Sequence, residues 1–138
     1  MAKVYKKEIR VISKKFAIRI IKCFQFLKKN KVEYVLRDQL LRSGTSIGAN
    51  VTEAKSSSTN KEYIRFYEIA LRSANETEYW IELINESYDF KKEMSSLILD
   101  LNEIQRIIGA IIVKLRIIES KKSKNKKLDN INDNIEND

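Results

Sequence analysis

At 138 residues, 43% hydrophobic and 33% charged, the chain is sized for one domain with a real core and is not the composition of a disordered polymer. With no proline and only three glycines it is short of turn-formers for a many-stranded fold, and its single cysteine, Cys23, excludes an internal disulfide. The net charge is +8, and because the last ten residues hold four of the 19 acids and no base, residues 1–128 carry 27 bases against 15 acids, or +12, a body that attracts polyanions.

The apolar spacing is helical almost throughout. Ile9, Ile12, Phe16, Ile20, Cys23 and Leu27 recur at three or four and predict a first helix over about residues 6–28. Charge and Asn30 in "KKNKVEY" interrupt it. Leu36, Leu40, Ile47, Val51 and Ala54 predict a second helix over about 34–56. "SSSTNKE" is the clearest punctuation in the chain, with Thr59 or Asn60 placed to cap the next helix and a glutamate downstream to favour its positive end. A third helix over about 60–88 carries Phe66, Ile69, Ala70, Ser73, Thr77, Trp80, Ile84 and Tyr88 on one face. The fourth, about 93–120, is the most apolar: Met94, Leu97, Leu101, Ile104, Ile108, Ile111, Leu115 and Ile118.

Four helices joined by short connections predict an all-α, antiparallel up-down four-helix bundle over residues 1–120. Residues 121–138, first basic and then acidic, are expected to be a flexible charged tail. The apolar runs fall far short of the roughly 20 residues that cross a bilayer, so no membrane association by spanning is expected. "MAKVYKKEIRVISKK" holds no apolar core of a secretory signal, and a reducing cytoplasm is the expected location. Val11 and Ile18 on the first helix, and Ile98, Ile107, Ile112, Val113 and Ile117 on the fourth, exceed what one small bundle buries. That excess predicts a second buried surface, most simply in a homo-oligomer, although a wide internal stripe is the alternative.

The second helix contains "RSGTSIGANVTEA", residues 42–54, small and polar where its neighbours carry leucine and isoleucine. At 100° per residue Gly44, Ile47 and Val51 share the apolar side with Leu40 and Ala54, so the run continues the helix. Each interior glycine costs about 1 kcal/mol against alanine, and close approach of another backbone is the physical offset. Beside the glycines runs a polar stripe of Gln39, Ser43, Ser46, Asn50 and Glu53, flanked by Arg42. It suits either a hydrogen-bonded network at a helix contact or a polar floor for a ligand.

Catalytic chemistry has little to work with. Histidine is absent, which removes Ser-His and Cys-His nucleophile pairs and the Glu-x-x-His sets of di-iron bundles. No Gly-rich phosphate loop is present, and Glu53, Glu76 and Glu78 lack a second ligand type. We therefore expect no enzyme, no catalytic residues, no metal and no cofactor. Cys23 on the apolar stripe reads as a small core residue. The binding candidates are basic: Lys3, Lys7, Arg10 and Lys14 share one face of the first helix, and Lys121, Lys122, Lys124, Lys126 and Lys127 cluster after the fourth. Without base-reading motifs, any RNA or DNA would be held through its backbone and in a salt-sensitive way.

Together "QLLRSGTSIGANVTEA" and "FYEIALRSANETEYWIELI" resemble the bacterial four-helix bundle family first noted as reading frames in intervening sequences of large-subunit ribosomal RNA genes. The resemblance extends over most of residues 8–118 and rests on Arg42, Ser43, Ser46, Ile47, Asn50 and Glu53 together with Ser73, Glu76 and Trp80. It implies a basic helical protein assembled as a ring-shaped homopentamer, similar in fold to the accessory variability protein of diversity-generating retroelements. That likeness implies binding of nucleic acid and of a reverse transcriptase through a basic ring surface. Two functions are expected from it: a nucleic-acid-binding accessory or scaffold protein, or a protein-interaction module that docks a polypeptide such as a polymerase. Arg42, Ser43, Ser46, Asn50, Glu53, Ser73 and Glu76 are expected to form a polar packing or interface stripe, and a metal- or ligand-binding bundle, the third reading, requires the part of it on the second helix to converge on an open cavity.

Overall fold

The structure, a computed structural model, describes residues 2–137, with side chains described from residue 8 onward. Among the described residues four helices succeed one another: α1 Ala2–Lys29, α2 Tyr34–Ala54, α3 Asn60–Ser87 and α4 Lys91–Glu136. No strand occurs among them, and the protein is all-α. Backbones approach in the pairs α1–α2, α2–α3, α3–α4 and α1–α4, and not in α1–α3 or α2–α4. Each helix therefore has two neighbours and turns one wide face to a shared core.

The ends of the helices have local causes. α1 stops because Lys31 adopts φ 59°, letting Val32 N–H donate to the Leu27 carbonyl (3.0 Å) and Lys31 N–H to that of Lys28 (3.2 Å). This pairing is the Schellman closure, with Val32 buried beneath it, and lysine occupies a position that favours glycine. α3 starts at Thr59, whose hydroxyl accepts from Glu62 N–H at 3.2 Å while the Glu62 carboxylate reaches back to Ser58 N–H. The cap expected at Thr59 or Asn60 is thus Thr59. Tyr88 hydroxyl accepts from Glu33 N–H (3.3 Å) at the start of α2, where no side chain of α2 itself does so.

Phe16, Ile20 and Leu27 of α1, Leu40, Ile47 and Val51 of α2, Tyr67, Ile81 and Ile84 of α3, and Met94, Leu101, Ile104 and Ile108 of α4 are among the buried core side chains. Ile12 and Leu36 pack at its margin. The buried face of α3 lies slightly round from the predicted one. Ile64, Tyr67, Ala74 and Ile81 are buried, whereas Phe66 and Trp80 are half-buried at the edge and Ile69 is only partly covered. α3 packs between α2 and α4, so its two flanks as well as its centre are contacted. On α4, Ile98, Ile107 and Ile112 belong to the bundle's own core or its margin. Val11, Ile18, Val113 and Ile117 do not, each remaining about half exposed.

The largest departure is at the C-terminal end. The apolar spacing predicts a fourth helix that ends near 120, yet α4 continues to Glu136, and every side chain from 120 to 137 is exposed. No proline or glycine interrupts this stretch, so nothing in the backbone stops the helix.

Two substitutions test the backbone account. A Cβ built on Gly109, in the middle of α4, meets nothing within 4 Å, so Gly109→Ala gains helix propensity without collision. Lys31→Gly relieves the left-handed residue. Each is expected to raise stability by about 0.5–1 kcal/mol, read as a higher urea midpoint at unchanged slope.

Candidate nucleic-acid interface and polar seam

The glycines of α2 face α1. A Cβ on Gly44 would lie 2.8 Å from Ile20 Cγ1, and one on Gly48 would lie 3.3 Å from the Ser13 carbonyl oxygen. Ser13 is itself fully buried, with its hydroxyl donating to the Arg10 carbonyl at 3.2 Å. Small residues on both helices thus set the close α1–α2 contact.

The polar side chains beside the glycines face α3. Ser46 and Ser73 hydroxyls meet at 3.0 Å across the helix pair, and Asn50 Nδ2 donates both to Ser46 Oγ (3.0 Å) and to the Ser46 carbonyl (2.8 Å). Ser43 Oγ donates to the Gln39 carbonyl at 2.9 Å, and buried Thr77 Oγ1 to the Ser73 carbonyl at 2.6 Å. These hydroxyls are satisfied within the bundle, as buried polar groups generally are. The rest of the stripe behaves differently. Arg42 is exposed and pairs with Asp38 one turn earlier, Glu53 is exposed, and exposed Glu76 accepts from Trp80 Nε1 at 3.2 Å. The residues Arg42, Ser43, Ser46, Asn50, Glu53, Ser73 and Glu76 therefore split into an inner seam and an outer surface, and do not converge on a cavity. Glu78 is directed to α4, accepting from Gln105 Nε2 at 2.8 Å. Among the described residues no group of three His, Cys, Asp or Glu is placed to hold a metal.

Cys23 is buried on the α1 stripe with its sulfur 3.7 Å from that of Met94. Burial pushes its thiol up from 9.0 to about 11, with nearby Arg19 opposing in part. The nucleophilic thiolate fraction falls about tenfold per unit of that rise, so a thiol-disulfide reagent at pH 8 should react about 100-fold more slowly with the folded chain than in urea. Equal rates would show that Cys23 is accessible. Tyr67 is likewise held protonated, first by burial and then by its hydrogen bond with Tyr63, while Arg10 acts in the opposite direction.

The basic candidates fall at one end of the bundle. Arg10 and Lys14 line a groove between α1 and α2 together with Thr45, Gly48, Thr52, Glu53 and Lys55. Lys122, next to Lys121, lines a second hollow with Ser58, Thr59, Asn60, Lys61 and Glu119, where Asn60 Nδ2 donates to Glu119 Oε1 at 3.0 Å. The short 55–59 connection joins the two hollows. Lys3 and Lys7 lie outside the described side chains. Sequence reasoning missed Lys55 and Lys61, whose signal was their place on either side of the "SSSTN" turn.

The family model described as 23S rRNA-intervening sequence protein matches residues 5–110. The chain is also similar to a solved structure from Bacteroides thetaiotaomicron VPI-5482, described as a protein with unknown function from the S23 ribosomal protein family. The two are 38% identical with a TM-score of 0.75, and the match covers 78% of this chain and 97% of that one. Comparison with curated proteins gave no match.

Proposed function

This chain belongs to the 23S rRNA-intervening sequence protein family, and from that premise we propose that it is a non-enzymatic accessory or scaffold protein that binds nucleic acid through its phosphate backbone. The observation that carries this reading is the gathering of Arg10, Lys14, Lys55, Lys61 and Lys122 around the two hollows at one end of the bundle. Lysines and arginines on a rigid frame track phosphates without reading bases. Glu53 and Glu119 interleave with them and moderate the field, which suits salt-sensitive binding.

The same reading has the helices running antiparallel, up and down. In support, Glu78, Glu68 and Asn60, descending α3, pair with Gln105, Arg116 and Glu119, ascending α4. It also has the bundle assembling as a homo-oligomer, a homopentameric ring by likeness to its family. The exposed Val11, Ile18 and Ile21 on α1 and Leu99 and Val113 on α4 support a second buried surface. A ring repeats the basic end and multiplies its hold on an extended polyanion. No helix among the described residues is long and apolar enough to cross a membrane.

Fluorescence anisotropy with structured RNA and with duplex DNA tests the proposal. Binding at about 50 mM salt that weakens steeply by about 200 mM is expected. Absence of binding at the lower salt overturns it and leaves the docking of a polypeptide, such as a polymerase, as the function to pursue.

A further inference from the structure

The extension of α4 lies wholly beyond the part matched by the family, which ends at residue 110. It is a helix with no side chain buried from 120 onward. Its charge order also opposes its own dipole, with Asp133 and Glu136 at the negative end and five lysines between 121 and 127 upstream. A helix of this kind, alone in water, has little to hold it. Yet it carries a seam. Ile117, Lys121, Lys124, Leu128, Ile131 and Ile135 recur at steps of four, three, four, three and four, the heptad spacing, on the side of α4 opposite the core stripe. The isoleucines and the leucine of that seam are each more than half exposed.

We propose that this extension pairs with the same extension of a second copy of the chain, as a two-stranded antiparallel coiled coil centred near residue 126. In that register the layers are Ile117 with Ile135, Lys121 with Ile131, and Lys124 with Leu128, each occurring twice by symmetry. Every layer then holds at least one apolar side chain, and the lysine stems lie along it while their ammonium groups reach the rim. The lysine-rich half of one helix lies beside Asp129, Asp133 and Glu136 of the other copy, and the two dipoles oppose. Parallel pairing does the reverse, setting Lys121 on Lys121 and Lys124 on Lys124 in adjacent layers. Charge, seam and dipole thus favour one occupant and one direction. The pair spans about 27 Å at 1.5 Å per residue, and its formation does not depend on how the bundles themselves assemble.

Sedimentation of the full chain tests this. The pair joins two separate bundle assemblies, so ending the chain after Glu119 should halve the mass measured at about 0.15 M salt. Two charge variants should do the same singly: the five lysines changed to glutamate, or Asp129→Lys with Asp133→Lys and Glu136→Lys. An equimolar mixture of the two should recover the full mass. Direction is read by cysteine cross-linking: Lys124→Cys mixed with Leu128→Cys should give a mixed disulfide dimer, and Lys124→Cys alone should give none. Unchanged mass on truncation, no recovery on mixing, or self-cross-linking of Lys124→Cys overturns the proposal.

Discussion

Gly44→Ala is expected to destabilise the bundle by up to about 2 kcal/mol, although alanine is the better helix former by about 1 kcal/mol. The reason is Ile20. A methyl on Gly44 would sit 2.8 Å from its Cγ1, 2.9 Å from its Cγ2 and 3.1 Å from its Cδ1, and Ile20 is fully buried. Overpacking of that kind typically costs about 1–3 kcal/mol, which outweighs the propensity gain. Gly44→Val should lose more than about 3 kcal/mol, because two further carbons and a β-branched rotamer enter the same space. Ile20→Val beside Gly44→Ala removes the carbon at Cδ1 and should recover part of the loss. Urea denaturation of the four chains closes the double-mutant cycle, and the coupling should be favourable by about 0.5–1.5 kcal/mol. Additive effects would mean that Cδ1 of Ile20 takes no part in the collision. Gly48→Ala is the contrast: its Cβ would lie 3.3 Å from a backbone oxygen of Ser13, a smaller intrusion, and the net change should be near zero.

That glycine pair also shows how far the sequence was legible. Phase placed Gly44 on the apolar side of a continuous helix, and close approach was the only physical offset for two interior glycines. Which helix approaches was not legible, because periodicity orients a helix about its own axis and says nothing of its neighbours. Hence the stripe of Ser43, Ser46, Asn50 and Glu53 appeared as one feature. The structure divides it: Ser46 meets Ser73 of α3, while Glu53 stays on the surface. The face of α3 shifted for a related reason. Phe66 and Tyr67 are adjacent aromatics on a helix touched by neighbours on both flanks, and spacing alone could not choose Tyr67, fully buried, over Phe66, half-buried at the edge. Beyond 120 the polar composition masked a helix, because its apolar seam is sparse and interrupted by Lys121 and Lys124. The convergence of Arg10 with Lys55, and of Lys61 with Lys122, depends on which helix ends meet, and four separate amphipathic patterns do not specify that.

Neutralising the α1–α2 groove should change the salt dependence of nucleic-acid binding more than any other surface substitution. Arg10→Gln, Lys14→Gln and Lys55→Gln together remove three cations that line one groove. If each neutralises one phosphate of a duplex, the slope of log affinity against log salt should fall by about 0.9 per contact, about 2.7 in all. Between about 50 and 200 mM salt that amounts to roughly 40-fold less sensitivity, measured by anisotropy on the same duplex. Arg10 is half-buried, so its substitution also removes packing, and the folded state of the triple variant must be matched by its urea midpoint. Glu53→Gln supplies the control of opposite sign: it removes a carboxylate from the same groove, leaves the cations in place and should tighten binding. Lys61→Gln with Lys122→Gln should produce a further, separate loss of slope if one nucleic acid crosses both hollows, because the 55–59 connection joins them. Loss of affinity without loss of slope would place the contribution of these side chains in the fold of the groove and not in contact with phosphate.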